Sequence, residues 1–409
     1  MKKQQKSNDV IVLPNQIKQK RRAMFDHEYI DVYAINANSI DAEPVQVQFT
    51  QTRNIPFLYK PEDYYLSVVR FQIDTNTLPV FTCAIQFNQA NKDLSIYSVT
   101  LTWTNPVAPF QVFNQQTFLT WLPQDLASPQ PRPPSLTQNK FQDNSGGYYY
   151  SYNYSYFIQL VNNTFATCFT ALNAQVIGAG LVLPTANAPV FTWNNDANTA
   201  VLNADILGYN QTVPNHIDIF MNLPLYQLFN SLPMYIQPLT LGLGKNFKID
   251  TDNFGNAQVT PFPFYLPTYN AYQVFQEQTA VNVWSPISSI VFTSNTLPIN
   301  STNVCNPCIF VNGVSTNNNG NNSDISQVIT DFQIDNNLFK NSCIFYPQGE
   351  NRYIDLMGTT PLYTIDINIF WKDKSGALYP FRLAVGCAAS VKLMFERKAI
   401  VSGIENLND

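Results

Sequence analysis

The chain has 409 residues, 45% of them hydrophobic, which is enough for one large β domain or two to three ordinary domains with packed cores. Only 12% of the residues are charged and 14% are aromatic, a composition typical of surfaces covered by copies of the same protein or by partners. A coding bias toward Asn would give a similar composition. No apolar run reaches the roughly 18 residues of a membrane span, no signal peptide is visible, and six scattered cysteines do not form a disulfide framework.

The charge is concentrated at the N-terminus. Residues 1–22 contain seven of the 23 basic residues but one of the 28 acidic residues, a net charge of +6. A flexible basic segment displaces counterions from phosphates without needing a fixed shape, so we predict that this arm contacts nucleic acid or an acidic inner protein; a solvated tail is the simpler alternative. The predicted contact residues are Lys2, Lys3, Lys6, Lys18, Lys20, Arg21 and Arg22.

After the arm, the chain is a succession of short strands. Apolar and polar residues alternate with the period of a half-buried strand, and the connections are short and rich in Asn, Pro and Gly. This pattern favours an all-β sandwich or barrel over a parallel sheet with helical crossovers. The predicted strands of this part cover residues 29–35, 45–49, 65–73, 80–87 and 95–103.

The middle of the chain breaks this pattern. The prolines from Pro129 to Pro134 favour an extended surface crossing or linker; a ligand for a proline-binding domain is the alternative. A helix is predicted that is capped by Ser155 and ends near Gly178, because apolar residues recur at helical spacing from Phe157 to Leu172. A second, short helix is predicted at residues 225–232 between two prolines.

Further strands and one loop are predicted after these helices. Residues 247–250 and 257–260 flank a turn and are expected to form a hairpin, and residues 272–284 and 287–293 are expected to be extended. Residues 312–323 are too polar to pack, so we expect a mobile loop there.

The C-terminal region has the clearest strand pattern. Ile365, Ile367, Ile369 and Trp371 alternate with more polar residues, which predicts a strand with these side chains in the core. A turn follows at residues 372–376, and two further extended segments, 378–383 and 391–395, close the chain on antiparallel strands.

Residues that could carry chemistry are few. His27 and His216 are the two histidines, and His216 lies beside a strand-like segment, where an ordinary histidine is expected rather than a catalytic base. Cys305 and Cys308 have the spacing of a zinc or redox pair but lack two further soft ligands. Residues 241–246 lack the spacing of a phosphate-binding loop. We therefore predict no catalytic residue, no metal site and no cofactor.

Two blocks of sequence resemble a known family. They are Ser285–Ser294 with Leu297-Pro298, and Tyr353–Leu356 continuing through Ile365–Asp373 to Val391–Lys398. These blocks resemble minor capsid, or penton, proteins of virophages and polinton-like double-stranded DNA viruses. The resemblance implies a jelly-roll β-sandwich with an inserted domain, assembling as pentamers at the vertices of an icosahedral shell beside the major capsid protein.

The sequence therefore predicts an all-β fold, a jelly-roll β-sandwich with an inserted, partly helical region. The predicted divisions are a basic N-terminal arm (1–27), a first part of the jelly roll (28–104), an insertion domain (105–280), a second part of the jelly roll (281–400) and a C-terminal tail (401–409).

The predicted function is that of a non-enzymatic capsid vertex protein of a virion, made in the host cell cytoplasm and without a membrane span. Its expected partners are other copies of itself in a homopentamer, the major capsid protein, and nucleic acid or an acidic inner protein through the arm. One alternative is a double jelly-roll major capsid protein. Another is a receptor- or carbohydrate-binding β module that uses the tyrosines of residues 148–156, and an enzyme on a β scaffold comes last.

Overall fold

The computed structural model describes residues 27–39, 44–86, 93–122, 150–237, 246–251, 257–300, 302–304, 309–311, 314–316, 324–333, 342–346, 351–374, 376 and 378–398. The chain divides into two compact units. Unit 1 comprises Met1–Thr77, Ser288–Ile334 and Phe339–Asp409, and unit 2 comprises Leu78–Ile287 and Asp335–Leu338.

The strands are numbered in chain order. The first group is β1 (His27–Ile35), β2 (Val45–Gln46), β3 (Gln48–Thr52), β4 (Tyr64–Asp74), β5 (Phe81–Thr82), β6 (Leu94–Thr104), β7 (Val112–Thr120), β8 (Tyr150–Ser151), β9 (Val190–Asn194), β10 (Thr199–Asp205), β11 (Ile217–Asn222), β12 (Met234–Ile236), β13 (Asn246–Ile249), β14 (Ala257–Pro261) and β15 (Asn270–Phe275). The second group is β16 (Ile287–Thr293), β17 (Thr302–Val304), β18 (Ile309–Val311), β19 (Val314–Thr316), β20 (Asp324–Ser326), β21 (Val328–Gln333), β22 (Ser342–Phe345), β23 (Ile354–Asp355), β24 (Thr364–Asp373), β25 (Leu378–Pro380), β26 (Arg382–Leu383) and β27 (Ala388–Arg397). The helices are α1 (Tyr154–Gly178), α2 (Leu223–Leu228) and α3 (Val281–Trp284), and a 3-10 turn covers Pro61–Asp63.

Unit 1 contains two principal sheets. The first has the order β1-β27-β4-β22, with β23 also paired to β4; the second has the order β21-β16-β24-β25, with β3 also paired to β24. The last strand, β27, lies between β1 and β4 and pairs antiparallel with both. Each sheet thus combines strands from before and after unit 2.

A cluster of phenylalanines packs the two sheets of unit 1 together. Phe71 on β4 contacts Phe292 on β16 and Phe332 on β21 at ring distances of 5.2 and 4.9 Å, and it stacks on Phe345 of its own sheet at 5.3 Å. Phe71 and Phe292 are fully buried. Because aromatic rings contribute large buried areas and favourable tilted contacts, this cluster is the centre of a β-sandwich, as predicted.

A buried carboxylate fixes the loop after β16. Asp366 on β24 accepts hydrogen bonds from the hydroxyls of Ser294 (2.5 Å) and Thr296 (2.7 Å), and from the backbone amides of Asn295 and Thr296 (3.0 and 2.8 Å). Burial alone would raise the pKa of Asp366, but these hydrogen bonds lower it below its ordinary value. The ionised carboxylate therefore holds residues 294–296 against β24.

Unit 2 contains two larger sheets, the two-stranded sheet β5-β8 and the long helix α1. One sheet has the order β12-β13-β11-β6-β7 and the other β14-β15-β10-β9. The amide of Asn162 on α1 bonds both backbone groups of Phe191 on β9 (2.7 and 2.8 Å), and the thiol of Cys168 donates to the carbonyl of Gln115 on β7 (3.1 Å). The helix therefore contacts an edge strand of each larger sheet.

Trp284, the last residue of α3, is the centre of the aromatic core of unit 2. Its indole N–H donates to the carbonyl of Leu228 at 2.7 Å, so the buried ring leaves no polar atom unbonded. The surrounding rings, at centroid distances of 5.1 to 6.0 Å, belong to Phe81, Tyr154, Phe157, Trp193 and Phe229.

The helices confirm the sequence prediction in kind but not at every boundary. The first predicted helix is α1, and its N-cap is Asn153, which accepts from the amide of Tyr156, rather than Ser155. The second helix, predicted at residues 225–232, is α2, which begins after the cap Asn222 and ends at Leu228. It therefore starts and ends earlier than predicted. Residues 281–284, predicted as extended, form α3.

Two predictions in the second half of the chain were wrong. Residues 247–250 and 257–260 do not form a hairpin with each other, because β13 pairs with β11 and β12 whereas β14 pairs with β15 in the other sheet. The segment 312–323, predicted to be a loop throughout, contains β19, which pairs antiparallel with β18. Asn312-Gly313 between these two strands is a dipeptide typical of tight hairpins, a signal in the sequence that the loop prediction overlooked.

The compact units differ in extent from the predicted divisions of the chain. The units divide at Thr77/Leu78 and Ile287/Ser288, whereas the sequence predicts divisions at 104/105 and 280/281. Residues 94–104 belong to unit 2 because β6 pairs with β7 and β11. The predicted arm (1–26 of its 27 residues) and tail (401–409) lie outside the described residues, as do residues 123–149, which include the prolines from Pro129 to Pro134.

We expect Trp371→Ala to lower the free energy of unfolding by about 3–5 kcal/mol, the range for truncating a large buried aromatic side chain. Trp371 is 5% exposed and stacks on Tyr379 at 4.4 Å, whereas its neighbour Phe370 is half-buried. Phe370→Ala is the matched control and should cost less. Chemical denaturation of both variants checks this, and the opposite order would show that the strand faces are reversed.

We expect Gly208→Ala to destabilise unit 2 because a methyl group at this position has no room. An added Cβ would lie 2.0 Å from Cγ2 of Thr185, whose hydroxyl is held by Asp205 at 2.5 Å. Overpacking of this kind costs about 1–3 kcal/mol. Thr185→Ser, which removes the clashing methyl and keeps the hydroxyl, should restore part of the loss. Gly178→Ala, with open space around it, is the control that should leave the thermal midpoint unchanged.

Candidate interaction surface

The seven basic residues of the predicted arm (Lys2, Lys3, Lys6, Lys18, Lys20, Arg21 and Arg22) lie outside the described residues, so their contacts stay a prediction. Their point of attachment is described. The first described residue, His27, begins β1, and β1 is an outer strand of its sheet. The candidate surface is therefore the part of this sheet next to the arm, that is, the free edge of β1 and the outer face of β1, β27 and β4.

Strand β1 follows one register along its whole length. His27 pairs with Glu396 and Ile35 with Ala388, without interruption between them. Because side chains alternate between the faces of a strand, Ile30 points into the core, while Tyr29 and Tyr33 stand on the outer face with exposures of 51% and 65%. The outer face of unit 1 is thus apolar at its edge.

A group of charges occupies the middle of this outer face. Asp31 on β1 lies 3.7 Å from the ammonium of Lys392 on β27 and 3.5 Å from the guanidinium of Arg70 on β4. The ammonium of Lys392 also lies 4.9 Å from the centre of the Tyr29 ring. Exposed pairs of this kind contribute at most about 1 kcal/mol, so they orient side chains across three strands more than they stabilise the sheet.

A second polar group lies where β1 begins and β27 ends. The hydroxyl of Tyr353 donates to Glu396 at 2.5 Å, and Nδ1 of His27 lies 3.8 Å from the same carboxylate. The hydrogen bond to Glu396 raises the pKa of Tyr353. Next to them, Lys398 bonds Asp355 at 3.0 Å. These contacts fix the end of the sheet from which residues 1–26 and 399–409 depart.

His216, the histidine discounted as a catalytic base, belongs to an ion network in unit 2. Its Nε2 lies 3.2 Å from Asp218, its Nδ1 bonds the carbonyl of Val213, and Lys248 lies 2.6 Å from Asp218. The hydrogen bond to Asp218 raises the pKa of His216 despite its partial burial. Both ring nitrogens face oxygen acceptors, which is the environment of an imidazolium and not of a neutral base.

The other sequence candidates give no site in the described part of the chain. Cys305, Cys308 and residues 241–245 lie outside the described residues. No three His, Cys, Asp or Glu residues come together to hold a metal within the described ranges. In the same ranges, no helix is long and apolar enough to cross a membrane.

Two of the tyrosines considered for a carbohydrate-binding face, Tyr154 and Tyr156, make internal contacts. Tyr154 stacks on Trp193 at 5.0 Å, and burial raises its pKa to about 12. The hydroxyl of Tyr156 donates to the carbonyl of Leu122 at 2.6 Å, and its ring lies edge-on to Trp121. These two side chains therefore stabilise the start of α1.

Sequence reasoning did not single out the exposed residues of β1. A signal was present, because both faces of the strand are apolar: Ile30 and Val32 on one, Tyr29, Tyr33 and Ile35 on the other. A strand with one solvated face normally alternates apolar with polar residues. Apolar residues on both faces indicate a strand that is contacted from both sides.

Comparison with known proteins identifies a family. The family model of the Sputnik minor capsid protein V18/19 matches residues 29–397. Structural protein V19 of the Sputnik virophage is 25% identical over 214 residues, which are 51% of this chain and 94% of that protein. Protein V18 of the same virophage is 33% identical over 133 residues, which are 32% of this chain and 73% of that protein.

Two solved structures have a similar fold. A chain in the 3.5 Å cryo-EM structure of the Sputnik virophage matches with a TM-score of 0.74 and 26% identity, covering 92% of this chain and 99% of that chain. The crystal structure of the mavirus penton protein matches with a TM-score of 0.60, covering 91% of this chain and 100% of that chain. Its identity is 16%, so this second likeness concerns the fold.

We expect the stability of unit 2 to fall as the pH rises from about 6 to 8.5. The folded pKa of His216 is above the unfolded value of about 6.5, so the stability that its charge contributes is complete below pH ~6.5 and is lost as the pH passes the raised pKa. For a partly exposed pair this is at most about 1 kcal/mol, or about 2–4 °C in the thermal midpoint.

Thermal melts of His216→Gln and His27→Gln at about pH 6 and pH 8.5 test the role of His216 in this pH dependence. His216→Gln should remove the pH dependence, and His27→Gln, which removes the other histidine, should keep it. Equal pH dependence in the two variants would assign the effect to other groups.

Proposed function

The chain belongs to the Sputnik minor capsid protein V18/19 family and is a structural protein of a virion; from this premise we propose that it forms capsid vertices as a homopentameric penton. The observation that carries the proposal is the likeness of its fold to a mavirus penton protein along 91% of the chain. The jelly-roll sandwich predicted from the sequence agrees with that fold.

The surface of unit 1 is suited to contacts between copies. A closed ring joins two different patches of each copy, since the contacts of a cyclic assembly larger than a dimer are heterologous. Large apolar side chains stand exposed on both outer strands of the first sheet, with Tyr33 and Ile35 on β1 at 65% and 70% and Ile344 on β22 at 56%. Burying apolar surface drives association, so both edges of this sheet are candidate surfaces for contacts between copies.

We place the basic arm toward the interior of the particle. Seven Lys and Arg residues against one Asp before position 23 give a charge that folding does not explain, and phosphates or an acidic inner protein are the natural counter-charges. The major capsid protein is the proposed neighbour of the pentamer, and the host cell cytoplasm is the proposed place of synthesis. The proposal assigns no catalytic activity to the chain.

The alternative of a double jelly-roll major capsid protein has less support. Unit 1 is one sandwich of two sheets, whereas unit 2 combines sheets of five and four strands with the 25-residue helix α1. The family is one of minor capsid proteins. A receptor-binding role for unit 2 has no observation in its favour among the tyrosines described above.

The oligomeric mass of the purified protein tests the penton proposal. We expect a particle of five times the 46.3 kDa of one chain, because a penton surrounds a fivefold axis. Native mass measurement at several protein concentrations, followed by negative-stain imaging, gives the copy number. A trimer would favour the double jelly roll, and a monomer at all concentrations would contradict the ring.

We expect deletion of residues 1–22 to leave a folded protein and to remove binding to DNA. For the full-length protein, the logarithm of the binding constant should fall with the logarithm of salt concentration with a slope of about −0.9 per phosphate contacted. A variant with all seven basic residues of the arm changed to Gln keeps the length and removes the charge. If this variant bound DNA as the parent does, the arm would not be the contact.

A further inference from the structure

The free edge of β1 lacks the short length, bulges and prolines that normally protect a sheet edge, and its acidic residues are Glu28 and Asp31, with His27 at its start. Among the described residues, β1 pairs on one side alone, with β27. The strand is nine residues long, has an unbroken register and contains no Pro or Gly. Natural proteins shield exposed edges with short strands, bulges, prolines or outward charges, because an open row of N–H and C=O groups pairs with other chains. The side chain of Asp31 does not shield it, because Lys392 and Arg70 hold it over the sheet.

Next to this edge, two large apolar side chains of β1 stand on the outer face of the sheet. Tyr33 and Ile35 are 65% and 70% exposed, and their partners in β27 are the small residues Ser390 and Ala388. The two large side chains are therefore uncovered by the neighbouring strand. A strand added at the edge of β1 would bring its own side chains beside them and remove apolar surface from water.

The sequence before β1 contains one segment suited to this edge. Val10-Ile11-Val12-Leu13 is a run of four aliphatic residues, three of them β-branched, and Pro14 follows it; the other apolar residues of the arm after Met1 are Ile17 and the run Ala23-Met24-Phe25, which lies just before β1. β-branched residues favour strands, and an extended segment that adds to a sheet edge gains main-chain hydrogen bonds and side-chain contacts together.

The chain length between this run and β1 favours a second copy as the acceptor. Residues 14–26 separate Leu13 from His27, and 13 extended residues span up to ~45 Å, more than the roughly 30 Å of a nine-residue strand. Hairpin loops most often have about 2–5 residues, fewer than the 13 that separate the run from His27. The four basic residues and one acidic residue of this stretch are a like-charge composition of the kind found in extended linkers, which suits a reach to a neighbour.

We propose that Val10–Leu13 of one copy adds as a strand to the free edge of β1 in a second copy and covers Tyr33 and Ile35. The arm then has two roles. The aliphatic run links neighbouring copies, and the Lys and Arg residues on either side of it are left to contact phosphates or an acidic protein. This inference rests on the proposed function only in requiring an oligomer.

Engineered cysteines in the full-length protein test the strand addition. Val12→Cys is combined in turn with Tyr29→Cys, Asp31→Cys, Tyr33→Cys and Ile35→Cys, because paired strands bring residues within the ~5.5 Å Cα separation of a disulfide. After mild oxidation, we expect at least one double variant to give a ladder of linked chains on a denaturing, non-reducing gel. Its yield should exceed that of each single-cysteine variant at least tenfold, and the single variants account for the native cysteines.

A pair of proline variants separates strand addition from simple proximity. Ile11→Pro removes an N–H donor from the run, and Gln19→Pro adds the same residue to the linker. In the cross-linking double variant, Ile11→Pro should reduce the ladder at least tenfold, and Gln19→Pro should leave it unchanged.

The outcomes that overturn the inference are distinct. A disulfide within one chain, with no ladder, would place the run on its own β1. Pentamers without any cross-link would refute the docking and leave the penton proposal standing. A monomer at all concentrations would refute both.

Discussion

Unit 1 depends on the pairing of its first described strand with its last. β27 lies between β1 and β4 and pairs with all nine residues of β1, so this sheet is complete only when the C-terminal strand is in place. The second sheet has the same property, since β24 joins β3 from before unit 2 to strands after it. Such long-range pairing is slow to form, but it lets a whole second unit enter the chain without interrupting either sheet.

Two buried carboxylates of this weakly charged chain are stabilised by neutral hydrogen-bond donors. Asp205 accepts from Thr185, Asn187 and Thr268 at 2.5, 2.6 and 3.0 Å, and Asp366 accepts from hydroxyls and amides in the same way. Neutral donors avoid the cost of desolvating a second charge, which often cancels the gain from a buried ion pair. In both units, the result is a loop fixed to a central strand.

The sequence predicted what depends on local periodicity. The alternation around Trp371 identifies a core strand, and the spacing from Phe157 to Leu172 identifies α1, because these patterns reflect which side of an element is buried. It could not predict which strands of unit 2 pair, so the hairpin expected between residues 247–250 and 257–260 is wrong: β13 and β14 belong to different sheets. It also did not show that β1 forms an edge, and hence that Tyr33 is exposed. Strand order is set by tertiary packing between distant segments, which no local pattern contains.

We propose that this minor capsid protein occupies the fivefold vertices of its shell. An icosahedrally averaged cryo-EM reconstruction of purified virions tests this most directly, because unit 1, with its two sheets around Phe71, and unit 2, with the 25-residue helix α1, can be fitted separately into the density. We expect five copies of unit 1 around every fivefold axis. Density for the chain in the faces of the shell, with a different protein at the vertices, would contradict it.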